Sequence, residues 1–368
     1  MEKTKNSVMK HRHFIADKPA QTLLGDIRGL IESARSGVAR AVNSGLVLLY
    51  WNIGNRIRKD ILKNKRASYG EEIVPTLSAK LIPEYGAGFG VRNLFNMTRF
   101  AEAFPDPKIV HALCAQLSWS HFRLIVYLDG DLKRNFYAEM SRVERWSTRV
   151  LQEKISGMLY ERTALSRKPK KAALLDLKNL RATDQLTPDL VFRDPYFLDF
   201  LGLKDSYSEK DLESAILREL ERFLIELGGD FAFVARQKRI TIDHEDYYAD
   251  LLFYHRGMRR LVVIELKLDK FRAADKGQVE LYLRWLDQHE RRPGEKSPLG
   301  LVLCAEKSSE HVELLELEKS GIRVAQYLTE LPPRRILERK LHAAILAARE
   351  RLSSRENLSD ESPPNLKP

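Results

Sequence analysis

The sequence predicts two regions of different fold class: an all-α N-terminal region, and after it an α/β domain of order α-β-β-β-α-β with an appended α-β. Three observations carry this expectation. Apolar residues recur at three- and four-residue spacing from residue 22 to about 165, the period of amphipathic helices. After residue 186 the period changes, and strand-like runs follow one another at 231–242, 247–255 and 260–268. Charge changes there too. The chain carries 62 Lys and Arg against 51 Asp and Glu, a net +11, yet residues 1–185 alone sum to +14 and residues 186–368 to −3.

The first ~20 residues, with Lys3, Lys5, Lys10 and Arg12, show no apolar period and are expected to form a flexible basic arm. A helical domain over 20–165 follows. Leu23, Ile27, Leu30 and Ile31 make one apolar stripe, and Leu46, Leu49, Tyr50, Ile53, Ile57 and Ile61 make another. A helix over 70–84, the turn Tyr85-Gly-Ala-Gly-Phe-Gly and a helix over 91–103 have the order of a helix-turn-helix, which would offer Arg92, Asn93, Asn96 and Arg99 to DNA. An ordinary helical hairpin satisfies the same pattern. Helices open near Trp119-Ser-His and Trp146-Ser, with Ser120 and Ser147 as candidate N-caps and His121 as a structural residue. Residues 166–185, beginning Ser-Arg-Lys-Pro-Lys-Lys, are expected to be a basic linker whose Lys168, Lys170 and Lys171 can contact phosphates.

The α/β domain is expected over 186–345. Its first helix covers 208–227 and stops at Gly228-Gly229. After the three strands come a helix over 275–289, a buried strand over 299–304, a helix over 309–319 and a strand over 322–327. Residues 353–368 are rich in Ser, Asn and Pro and are expected to be disordered.

Composition excludes several classes. With 43% hydrophobic residues, wholesale disorder is out. No run approaches ~18 apolar residues and the N-terminus lacks the apolar core of a secretory signal, so a cytoplasmic protein with no membrane partner is expected. Cys114 and Cys304 stand far apart, which excludes a disulfide scaffold and a zinc ribbon. Neither a Gly-x-Ser-x-Gly elbow nor a Gly-x-x-x-x-Gly-Lys phosphate loop is present.

The chemistry concentrates in Tyr247-Tyr-Ala-Asp-Leu-Leu-Phe-Tyr-His-Arg-Gly-Met-Arg-Arg-Leu-Val-Val-Ile-Glu-Leu-Lys267. Two apolar runs flank Gly257-Met258, which suits a two-residue type II′ hairpin turn. Arg256 then faces Arg259, and Asp250 falls directly opposite Glu265 on one face of the sheet. Lys267 shares that face because strand side chains alternate. Two adjacent buried carboxylates repel unless one is protonated or a cation bridges them. Mg²⁺ (or Mn²⁺) takes one or two carboxylates, waters and phosphate oxygens, so Asp250, Glu265 and the carbonyl of Leu266 are its candidate ligands. Lys267 would act on the attacking water. A strand-end salt bridge of Lys267 with either acid uses the same residues. Gln278 and Tyr282, four apart on the next helix, can reach this face. Glu213 lies inside the apolar stripe of the 208–227 helix, where a carboxylate calls for a partner; exposure at a frayed first turn is the alternative.

Asp250, Glu265-Leu-Lys267, Gln278 and Tyr282 on this layout resemble the PD-(D/E)XK nuclease superfamily, and more closely its YhcG family. The likeness also rests on residues 223–237 (Phe-Leu-Ile-Glu-Leu-Gly-Gly-Asp-Phe-Ala-Phe-Val-Ala-Arg-Gln), on Ile264-Glu-Leu-Lys-Leu-Asp-Lys-Phe271 and on Leu301-Val-Leu-Cys-Ala-Glu306. Trp119-Ser-His and Trp146-Ser extend it into the first half, so it covers nearly the whole chain. It implies a restriction-endonuclease-like domain after a helical one, with Asp250, Glu265 and Lys267 as catalytic core and Gln278 and Tyr282 in support. The chain departs from the family where Pro-Glu-Tyr is expected and Ala273-Ala-Asp-Lys276 stands. The leading expectation is a Mg²⁺-dependent endonuclease acting on DNA; a catalytically idle nucleic-acid-binding or assembly protein is the alternative, and RNA cleavage the third reading. The resemblance associates the chain with defence or mobile-element DNA processing. A homodimer is left open.

Overall fold

A computed structural model describes residues 17–63, 69–203 and 206–360, which divide into two compact units, residues 1–134 and 135–368. Residues 1–16 of the expected basic arm and residues 361–368 lie outside the described residues, while residues 17–20 of that arm are helical.

The first unit is helical. One long helix, α1 (Asp17–Lys63), carries both predicted stripes, and α2 (Tyr69–Tyr85), α3 (Val91–Ala103), α4 (Pro107–Cys114) and α5 (Trp119–Ile125) follow it. Tyr50 and Ile57 of α1 pack with Val74, Leu94 and Met97 to make the core. The approach of α1 to α3 is so close that a Cβ on Gly54 would lie 1.8 Å from the Met97 carbonyl oxygen, so that position admits glycine alone. Residues 86–90 join α2 to α3 through a short 3₁₀ turn over Ala87–Phe89. At α5 the cap is Ser118, two residues before the serine expected. Its backbone N–H donates to His121 Nδ1 at 3.1 Å, so His121 does serve structure.

The division falls within α6 (Asp131–Val143), and the second unit continues through α7 (Thr148–Ser156), α8 (Leu159–Arg162), α9 (Ala164–Arg167), α10 (Lys170–Thr183) and α11 (Pro188–Val191) into the α/β domain. Residues 166–185, read as a linker, are thus largely helical. Lys168 is held 2.6 Å from Asp176 and 2.5 Å from Asp189, because a half-buried ammonium needs anionic partners.

The strands are β1 (Tyr196–Phe197), β2 (Phe231–Ile242), β3 (Glu245–His255), β4 (Arg260–Lys270), β5 (Leu299–Glu306) and β6 (Ile322–Leu328). They form one sheet in the order β1-β6-β5-β4-β3-β2. β2, β3 and β4 run antiparallel, while β4, β5, β6 and β1 are parallel. The central strands are buried on both faces, as their continuous Val, Ile and Leu runs require. The predicted 208–227 helix is broken at Glu219 into α12 (Glu209–Arg218) and α13 (Leu220–Leu227). α14 (Ala273–His289) covers one face of the sheet, packing Val279, Tyr282, Leu283 and Leu286 onto Val263 and Val302. α15 (Ser309–Leu314) precedes β6, and α16 (Arg334–Asp360) closes the chain. The start of the expected disordered tail therefore belongs to a helix.

Buried charges in this unit are paired. Glu226 accepts hydrogen bonds from Arg162, Arg193 and the Phe197 amide, and Asp194 from Arg167, Lys307 and the Gln326 amide. Among the described residues no helix is long and apolar enough to cross a membrane.

Candidate active site

The site grows out of the β3–β4 hairpin. Its ladder pairs His255 with Arg260 through Leu251 with Ile264, the register that brings Asp250 level with Glu265. At that point side-chain bonding replaces the ladder, and Asp250 Oδ2 accepts the Leu266 amide at 2.9 Å. The turn differs from expectation. Arg259, not Gly257, is the left-handed residue, with φ +55°, and its amide donates to the Arg256 carbonyl at 3.2 Å. Gly257 lies close to two side-chain ends instead: a Cβ there would lie 2.5 Å from Asp230 Oδ2 and 3.0 Å from Leu186 Cδ1, and those side chains would have to move aside. Register survived because the turn is still four residues from Arg256 to Arg259.

Glu265 is 3% exposed. Its Oε1 accepts from Lys267 Nζ at 3.2 Å and from Gln278 Nε2 at 3.2 Å, while its buried Oε2 has no hydrogen-bond partner. Gln278 Nε2 also donates to the Tyr282 hydroxyl at 2.7 Å, and that hydroxyl donates to the Tyr248 carbonyl at 3.3 Å. α14 thus brings Gln278 and Tyr282 to the predicted face. Burial, and then the charge of Asp250, push the Glu265 carboxyl up to about 7. Burial also raises the Asp250 carboxyl. Burial works against the Lys267 ammonium, but Glu265 and Glu209 outweigh it and its pKa rises.

Glu213 is buried rather than frayed, and it is joined to this site by residues that sequence reasoning did not single out. Gln237 Nε2 donates to Glu213 Oε2 at 2.5 Å and to Asp250 Oδ1 at 3.1 Å, so one amide bridges two carboxylates. Arg236 Nε lies 2.8 Å from Glu213 Oε1. Consecutive strand residues ordinarily point to opposite faces. Here both reach one carboxylate, at a point where Gln237 has φ +44°, and the register that follows the shift between Phe233 and Ala235 sets Gln237 opposite Asp250. Non-glycine residues rarely adopt that conformation, and strain of this kind gathers at functional sites. The available signal was Arg236-Gln237 within the family motif.

The donor set suits a hard divalent cation. An unpartnered buried carboxylate oxygen, beside a second carboxylate whose charged form burial also disfavours, is the arrangement that a cation would satisfy. Among the described residues no group of three or more His, Cys, Asp or Glu stands at metal-binding separations, so water and phosphate oxygens would complete the shell. Leu266 contributes its amide to Asp250.

The other candidates fare unevenly. Arg92 and Arg99 are exposed on α3, with Arg99 stacked 4.6 Å over the Tyr127 ring. Asn93 and Asn96 do not present open amides. Asn93 donates to the Gly88 carbonyl at 2.6 Å and accepts from Trp119 Nε1 at 2.9 Å; buried Asn96 accepts the Tyr127 hydroxyl at 2.5 Å. Lys170 and Lys171 are exposed, whereas Lys168 is committed to its two aspartates.

A family model described as the YhcG PDDEXK nuclease domain matches residues 189–342, and one described as the DUF1016 N-terminal domain matches residues 26–162. The chain is 35% identical over 345 residues to "Putative nuclease YhcG" of Escherichia coli (strain K12), covering 85% of this chain and 91% of that one. Among solved structures it is similar to a repair endonuclease from Pyrococcus abyssi, at 24% identity over 35% of this chain and 50% of that one, with a TM-score of 0.24. It is also similar to EndoMS in a complex with double-stranded DNA, at 19% identity over 35% of this chain and 49% of that one, with a TM-score of 0.26.

Proposed function

The chain belongs to the YhcG family, whose second domain is a PD-(D/E)XK nuclease domain, and from that premise we propose that it is a Mg²⁺-dependent endonuclease acting on DNA. One observation carries the reading: Glu265 Oε2 is buried and unpartnered on the face that Asp250 and Lys267 share. A phosphodiester approaching two carboxylates would be repelled, and a divalent cation held by Asp250 and Glu265 would neutralise that charge and acidify a bound water.

The side chains divide the remaining work. Lys267, its ammonium fixed on Glu265 Oε1, orients the attacking water and stabilises negative charge growing on the phosphate. Gln278 holds the same carboxylate oxygen and leaves Oε2 as the open one. Tyr282 anchors Gln278. Gln237 fixes Asp250 and Glu213 at a set separation, so the acidic groups are arranged before substrate arrives. Nucleic-acid affinity comes from the basic first half of the chain, with Arg92, Arg99, Lys170 and Lys171 exposed to phosphates.

The test is cleavage of plasmid, branched and single-stranded DNA, and of RNA of the same sequence, with Mg²⁺ or EDTA. Wild type is expected to cut DNA with Mg²⁺ alone, while Asp250→Asn and Lys267→Ala do not. Mutants as active as wild type would mark a contaminant, and preference for RNA would replace the substrate assignment.

A further inference from the structure

The first half of α1 has an apolar stripe that no described residue of its own unit covers. Residues 22–36 and 38–42 are all exposed, and the large apolar side chains among them retain 44–71% of their surface in water. A lone helix of this length is marginal in water, and Gly25, Gly29 and Gly37 weaken it further. Neither feature suits a helix meant to stand by itself.

The spacing shows what would cover it. Leu24, Ile27, Ile31, Ala34, Val38 and Ala41 alternate steps of three and four, which makes them successive a and d positions of a heptad. Every other large apolar residue of the stretch flanks that seam: Leu23 and Leu30 at g, Val42 at e. The b, c and f positions carry Asp26, Glu32, Ser33, Ser36 and Arg40, and otherwise only Thr22 and small residues. The pattern stops where α1 meets its own unit. Asn43 and Ser44 donate to the Cys114 carbonyl, and Val47, Tyr50 and Trp51 are buried. The stripe is therefore separate from the core that folds the unit.

Charge selects the orientation. Arg28 and Arg35 occupy e positions, which face each other in an antiparallel pair and would place arginine against arginine. In a parallel pair e faces g′, where this sequence has Leu23 and Leu30, and the arginine stems can lie on leucine with their charges in water. Two of the three a positions, Ile31 and Val38, are β-branched, the a-position choice of two-stranded pairs, whereas Leu24 at a with Ile27 at d is the choice of higher oligomers and is confined to the first heptad. The exposed stripe amounts to roughly 700 Å² per copy, close to the ~800 Å² each partner contributes to a standard interface.

We propose that residues 22–42 of α1 form a parallel two-stranded coiled coil with the same segment of a second copy of this chain. The inference does not depend on the nuclease reading.

The test is the mass of the full-length protein by light scattering and sedimentation equilibrium. Wild type is expected to be a dimer. Ile31→Glu with Val38→Glu places charge in the seam and should weaken association at least about a hundredfold. The control, Ser33→Glu with Ser36→Glu on the opposite face, should remain dimeric. Far-UV circular dichroism checks that both variants fold. Because Cys114 and Cys304 are buried, Ile31→Cys should cross-link to a covalent dimer on mild oxidation, and Ser33→Cys should not. A monomeric wild type, a trimer or tetramer, a seam variant that stays dimeric, or failure of Ile31→Cys to cross-link would each overturn the proposal.

Discussion

Replacing Glu265 with glutamine isolates the electrostatics at the centre of the site. The carboxyl is 3% exposed, and burial with the charge of Asp250 lifts it from 4.5 to about 7. The folded protein therefore holds this proton more tightly than the unfolded chain. The resulting stabilisation is complete below pH 4.5 and is lost as pH rises through about 7. At ~1.4 kcal/mol per unit, the loss by pH 8 is about 3 kcal/mol. The amide of the variant copies the neutral acid and carries no such loss, the ion pair with Lys267 being already contained in the pKa of about 7. Urea unfolding in EDTA should find Glu265→Gln more stable than wild type at pH 8 by that amount, and the gap should close only by about pH 4, below the unfolded pKa. A variant that is less stable at pH 8, or whose difference from wild type ignores pH, would refute the reasoning.

Three further outcomes follow from the geometry. Gln237→Ala removes the amide between Glu213 and Asp250, and should cut divalent-cation affinity and cleavage rate ten- to a hundredfold, as loss of a partner that orients metal ligands typically does (~10–100-fold); unchanged calorimetric affinity would contradict it. Gly54→Ala sets a Cβ against the Met97 carbonyl and should destabilise the first unit by about 3 kcal/mol, read as a lowered thermal midpoint, whereas an unmoved midpoint would deny the close approach. Glu226→Ala leaves Arg162 and Arg193 buried without their shared anion and should cost about 3–5 kcal/mol in urea unfolding. A loss below ~1 kcal/mol, the scale of an exposed pair, would mean that water reaches those guanidiniums.

Much of the catalytic face was legible because it obeys simple periods. Val262, Val263 and Ile264 opposite Leu251, Leu252 and Phe253 leave little freedom of register, so Asp250 and Glu265 follow from counting along a short hairpin. Gln278 and Tyr282 follow from helical spacing on α14. What escaped breaks those periods. Gln237 falls opposite Asp250 in the β2–β3 ladder, but that register follows a shift between Phe233 and Ala235 that no sequence period announces, and Arg236 and Gln237 both reach Glu213 where Gln237 is left-handed. The break at Glu219 and the reach of α16 to Asp360 depend on tertiary packing, to which local composition is blind. Asn93 and Asn96 looked like readers of bases, because an amide in a helix reads the same whether its partner is DNA or a neighbouring Trp119 or Tyr127.

The central claim is that Asp250 and Glu265 together require a divalent cation. Isothermal titration of Mn²⁺ into the full-length protein at pH 8 tests it without reference to substrate. Wild type should bind with an affinity that falls as pH drops below 7, where Glu265 takes up its proton, and both Asp250→Asn and Glu265→Gln should abolish that binding. Binding that persists in either variant, or a wild type that binds no cation, would contradict the account.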